Sequence, residues 1–197
     1  MKKTNNILIF IFTLLSLCFA AFHFNNAMYD RLIGDLSIAI VFFIPRIITK
    51  IFKLKFTDLM ELVYIIFVIL AQFIGCVVNV FNTVWWYDLF THFISGVLTG
   101  ILALVILNWF KMYDPRKKIF NFLYLMFFSL SVASIWEFIE FGAFVFIKLD
   151  VQHTLTTGVF DTMEDMLIAF LGSLIVGIIC LIEGKKGTLK KIVSDLK

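Results

Sequence analysis

Long apolar blocks set the first limit on what this chain can fold into. Ile7–Phe24, Leu59–Phe81, Asp88–Phe110, Ile119–Ile147 and Asp161–Ile182 are each close to, or beyond, the ~20 residues that a helix needs to cross a bilayer. A shorter block, Leu32–Ile48, lies between the first two. In lipid, backbone N–H and C=O groups have no water to bond, so blocks of this kind fold as helices. The sequence predicts an all-α, polytopic membrane protein with six transmembrane helices. The apolar share agrees, at 61% against roughly 45–50% in a soluble domain. With two prolines, no linker and no repeat, residues 1–197 read as one integral membrane domain. Its motif-bearing core is about 59–182, and helices 1 and 2, about 7–48, are peripheral. The Ile119–Ile147 block is long enough to tilt or to project from the bilayer.

The cations orient this set, because cytoplasmic loops carry an excess of Lys and Arg. With the amino terminus inside, one side collects Lys2, Lys3, Arg46, Lys50, Lys53, Lys55, Lys111, Arg116, Lys117 and Lys118. The tail adds Lys185, Lys186, Lys190, Lys191 and Lys197, making 15 of the 17 basic residues. The other side keeps Arg31 and Lys148. Both termini are therefore expected in the cytoplasm, in a bacterial inner membrane. The net charge of +3 is a topology signal that brings the loops to membrane lipids and gives no sign of nucleic-acid binding. Cys18, Cys76 and Cys180 all lie in apolar blocks and read as small buried hydrophobes. Leu17 is a poor fit to a lipoprotein cleavage site before Cys18, so the first block is expected to be a retained helix.

Chemistry concentrates after the aromatic trio Trp85-Trp86-Tyr87, an interfacial belt by composition. Asp88 and His92 are four apart and share a helix face, with Ser95 and Thr99 continuing that face. Gly96 and Gly100 form a small-residue seam beside it. Glu137 and Glu140 share a face of the fifth block, and Asp161 and Asp165 a face of the sixth. In the expected topology these acids lie in the outer half of the membrane. Ionisable groups are costly in lipid and by default mark function.

Several of them have plainer readings. Asp88 and Asp161 suit helix N-caps, Glu164 suits water and headgroups, and His23 and His153 have no evident partner in sequence. His92, Glu137, Glu140 and Asp165 resist such readings, because no basic residue is near in sequence to neutralise the acids. Packed carboxylates share protons or bind a cation. This donor set suits a divalent ion such as Zn²⁺, Mn²⁺ or Fe²⁺.

Asp88-Leu-Phe-Thr-His92, Trp136-Glu137-Phe-Ile-Glu140 and Gly158-Val-Phe-Asp161-Thr162-Met-Glu-Asp165-Met166 resemble the YjdF-type family of bacterial inner-membrane proteins. More distantly they are similar to the VanZ-like family, with its Asp-x-x-x-His, Glu-x-x-Gln and Asp-x-x-x-Asn motifs. Here Glu140 stands in place of the glutamine and Ala169 in place of the asparagine. The resemblance covers about Trp85–Gly177, and it implies a setting in the cell envelope without naming a reaction.

Two functions follow as expectations. One is a metal-dependent hydrolase or transferase acting on lipid-linked envelope substrates. Its ligands would come from His92, Glu137, Glu140, Asp161 and Asp165, and catalysis would involve His92, Asp88 and Glu137. The other is a small proton- or cation-coupled transporter or, in its place, a non-catalytic envelope-interaction protein. Neither the substrate nor the oligomeric state follows from the sequence.

Overall fold

The computed structural model describes residues 1–53, 56–183 and 187–195. Among the described residues it is helical, without strands, and it divides into two compact units, Met1–Asp88 and Leu89–Lys197. Among the described residues, five helices are long and apolar enough to cross a membrane, or six if one bent pair counts as a span. Lys55, Lys185, Lys186 and Lys197, part of the expected basic side, lie outside the described residues.

The first unit contains α1 (Lys2–Asn25), α2 (Leu32–Val41), α3 (Ile44–Phe52) and α4 (Asp58–Val68). Hydrogen bonds fix their directions. Asn5 Nδ2 donates to the Asp58 carbonyl at 2.9 Å and to Glu61 Oε2 at 2.8 Å, so α1 and α4 start side by side and run parallel. Ser16 Oγ donates to the Asp35 carbonyl, and His23 pairs with Asp35, so the later half of α1 meets the start of α2. Arg46 then reaches Asn6, at the start of α1. The α2–α3 pair therefore runs back along the whole of α1, and the end of α3 lies at the same end of the unit as the amino terminus. Ile9, Ile38, Phe42, Ile65, Val68, Phe73 and Val77 fill the space between the helices.

Two helices depart from the sequence expectation. The block Leu32–Ile48 is broken at Phe42-Phe43 and bent by 44°. Pro45, second residue of α3, has no N–H to donate and its ring excludes a straight helix through this point. The third block does not stay α-helical: α4 passes into a π-helix at Ile69–Val77. The wider turn frees carbonyls, and Tyr87 Oη donates to the Leu70 carbonyl at 2.9 Å. Tyr87 is accordingly buried, whereas Trp85 and Trp86 are exposed as interfacial aromatics would be.

The second unit contains α5 (Tyr87–Trp109, from Leu89 onward), α6 (Lys118–Ile147), α7 (Thr154–Thr157), α8 (Phe160–Ile182) and α9 (Thr188–Asp195). These long helices match the expected blocks to within a residue or two. Lys118 Nζ at the start of α6 bonds the Leu181 carbonyl at the end of α8, so the two are antiparallel. Thr99 and Ser129 bond at 2.7 Å between α5 and α6. The basic tail is partly helical: Leu189 and Val193 of α9 are buried, and Asn108 Nδ2 of α5 donates to the Val193 carbonyl.

Candidate metal centre

The small-residue seam positions the site. A Cβ built on Gly96 would lie 1.9 Å from the Ala169 carbonyl oxygen, and one on Gly172 would lie 2.2 Å from that of Phe93. Any side chain at either position would collide with backbone, so these two glycines let α5 and α8 touch main chain to main chain. Gly100 continues the contact along Ser173 and Val176. The helices run parallel, and the offset that pairs Gly96 with Ala169 also pairs His92 with Asp165, one turn earlier on each.

His92 Nε2 lies 3.6 Å from Asp165 Oδ2, with both side chains largely buried. That is too long for a hydrogen bond. It is close to the spacing of about 3–3.5 Å between neighbouring ligand atoms bonded to one ion at 2.0–2.2 Å. Asp88, one turn before His92 and carried by the same continuous helix, completes a group whose ligand atoms all lie within 4.8 Å of one another. Neither Asp88 nor Asp161 is an N-cap. α5 begins at Tyr87, and α8 begins at Phe160 with Val159 as its cap. Both acids sit inside a first turn, where the free N–H groups favour negative charge.

The other candidates are turned to other partners. Glu137 is buried and accepts 2.9 Å from Gln152 Nε2. Gln152 also donates to the Glu137 carbonyl at 3.1 Å. Glu140 accepts from Trp136 Nε1 at 2.9 Å, one turn back on α6. Asp161 lies near enough to Glu137 for their charges to interact. His92 and Asp165 are thus brought together with Asp88, and Glu137, Glu140 and Asp161 are not members of that group.

Sequence reasoning missed two sites in the first unit. His23, expected to have no partner, bonds Asp35 at 2.7 Å, and both are buried. Glu61 is buried against Asn5 and Arg46, the latter at 2.5 Å. The signal was a lone acid in each of two apolar blocks, Asp35 and Glu61. Glu61 has Asp58 three residues earlier on α4, Asp35 has no such neighbour on α2, and both acids take their partners from other helices.

A family model described as Predicted membrane protein (DUF2238) matches residues 6–186. No curated protein and no solved structure matches the chain at a significant level.

Proposed function

The chain belongs to the DUF2238 family of predicted membrane proteins, and from that premise we propose a divalent-metal site formed by His92, Asp165 and Asp88, in a hydrolase or transferase acting on lipid-linked substrates of the bacterial cell envelope. The observation that carries the reading is the 3.6 Å approach of His92 Nε2 to Asp165 Oδ2 in a buried setting. One imidazole and two carboxylates leave coordination positions open for water and substrate. A bound cation would lower the pKa of such a water and make it a nucleophile near neutral pH.

In this reading Glu137 is a positioning residue. It accepts from Gln152 and so ties down the segment that leads into α8, the helix that presents Asp165. Glu140 and Asp161 shape the surroundings. The envelope setting draws on the motif resemblance to YjdF-type and VanZ-like proteins, and the outward-facing site draws on the basic-residue split.

The test is metal content after purification in detergent without chelator. The expected result is a stoichiometric transition metal in the wild type. His92→Ala and Asp165→Asn should lose at least about tenfold in affinity, the lower range even for changes beyond the ligands themselves. Asp30→Asn and Glu164→Gln should keep it. Metal-free protein that takes up none on titration, or full retention by both ligand variants, would overturn the reading.

A transporter is the second reading, favoured by the buried His23–Asp35 pair beside a π-helix, a feature frequent at functional sites. Proton-coupled uptake in vesicles, lost in His23→Asn and without bound metal, would select it.

A further inference from the structure

α3 is fastened to the first unit by its polar face. Arg46 Nε bonds Glu61 Oε1 at 2.5 Å, its Nη2 bonds Asn6 Oδ1 at 2.6 Å, and Pro45 beside it is buried. The apolar face points away. Ile44 and Ile47 are exposed, and Ile51 and Phe52 are 65% and 66% exposed. A helix docked on water-facing ground has the opposite arrangement, with its apolar stripe packed inward.

Lys50 lies in the last turn of α3, next to that apolar face, and Lys53 caps the helix three residues on. Both are exposed, and no carboxylate lies within ion-pair distance of either among the described residues. The acids at this end of the unit have other partners: Glu61 holds Arg46, and Asp58 accepts the Lys2 backbone N–H. The helix ends at Lys53, in a left-handed conformation at φ 56°. Its dipole offers about half a negative charge there, which two ammonium groups exceed. An uncompensated pair of cations beside a bare apolar stripe matches a phosphate joined to acyl chains. It does not match an anion in water, which would leave Ile47 and Ile51 uncovered.

We infer that the end of α3 sits at the membrane surface and seats the phosphate of an anionic phospholipid between Lys50 and Lys53, with the acyl chains against Ile44, Ile47 and Ile51. Polybasic surface segments gain affinity for anionic lipid with each lysine. A zwitterionic lipid also carries a phosphate, but its own cation cancels the attraction.

The experiment uses the full chain in nanodiscs of equal phosphatidylglycerol and phosphatidylcholine. The protein is released into mild detergent, and retained lipids are counted by native mass spectrometry. Wild type is expected to retain phosphatidylglycerol about tenfold over phosphatidylcholine. Lys50→Gln/Lys53→Gln should fall to parity, and Lys50→Arg/Lys53→Arg should keep the preference. The melting temperature of the Gln variant should match wild type, because neither lysine side chain bonds another of the described residues. Lys50→Gln alone should give an intermediate preference. Equal retention of both lipids by wild type, or an undiminished preference in a folded Gln variant, would overturn the inference. Displacement of the lipid by inorganic phosphate alone would also overturn it, since the site would then select an anion and not a lipid.

Discussion

His92 and Asp165 face each other because Gly96 and Ala169 touch one turn farther along the same two helices. The 1.9 Å that a Cβ on Gly96 would have from the Ala169 carbonyl oxygen measures how closely α5 and α8 approach. The pairing of imidazole with carboxylate is a consequence of that approach, and both would be lost if the helices were pushed apart.

Gly96→Ala should therefore destabilise the protein by about 2 kcal/mol or more, in the upper range of overpacking, because the obstacle is backbone and cannot rotate away. Gly142→Ala is the control, since its Cβ would meet only the Phe146 ring at 4.0 Å. Thermal unfolding in detergent compares the two. A Gly96→Ala protein as stable as Gly142→Ala would mean that α5 and α8 are not in main-chain contact.

Gln152 ties the loop after α6 back to Glu137 by two hydrogen bonds. Removing it with Gln152→Ala leaves a buried carboxylate and a carbonyl short of a donor, at an expected cost of about 1–3 kcal/mol. Glu137→Gln in the same background should recover part of this, because a neutral amide is cheaper to bury without the lost donor. A double variant no more stable than the single would show that Gln152 acts elsewhere.

Asp150 gives a pH dependence outside the helices. The backbone N–H groups of Leu155 and Thr154 bond its carboxylate at 3.0 and 2.8 Å and hold it below the usual aspartate range. A lowered folded value means that this capping is fully present above the free-chain pKa. It is lost only as pH falls through the lowered value. Cleavage of the 150–157 segment by an acid-active protease should rise at that lower pH in wild type, and should already be high at neutral pH in Asp150→Ala, read there with a neutral protease. Equal cleavage of the two at neutral pH would remove Asp150 from this role.

Sidedness can be read by cysteine labelling in intact cells. Tyr29→Cys and Thr156→Cys are expected to react from outside, and Lys50→Cys and Lys191→Cys to be protected. The Tyr29 and Lys50 pair tests whether the bent α2–α3 pair crosses the membrane, as its antiparallel course along α1 favours. Labelling of both from the same side would leave five spans and put the termini on opposite faces.

The apolar blocks alone determined the class and most of the helix bounds, because a stretch of ~20 apolar residues has almost no other low-energy solution in lipid. One-face spacing also brought out His92 and Asp165 as members of a polar site, and the glycines as the seam that carries them. Only the tertiary structure decided which ionisable groups meet. Glu137 and Glu140 stand on a third helix, α6, where Gln152 and Trp136 bond them, and His23 found Asp35 on a neighbouring helix. Periodicity reports the face on which a side chain stands along its own helix. The partner across that face depends on register and crossing between helices, and here those were set by where two backbones could come into contact at Gly96 and Gly172.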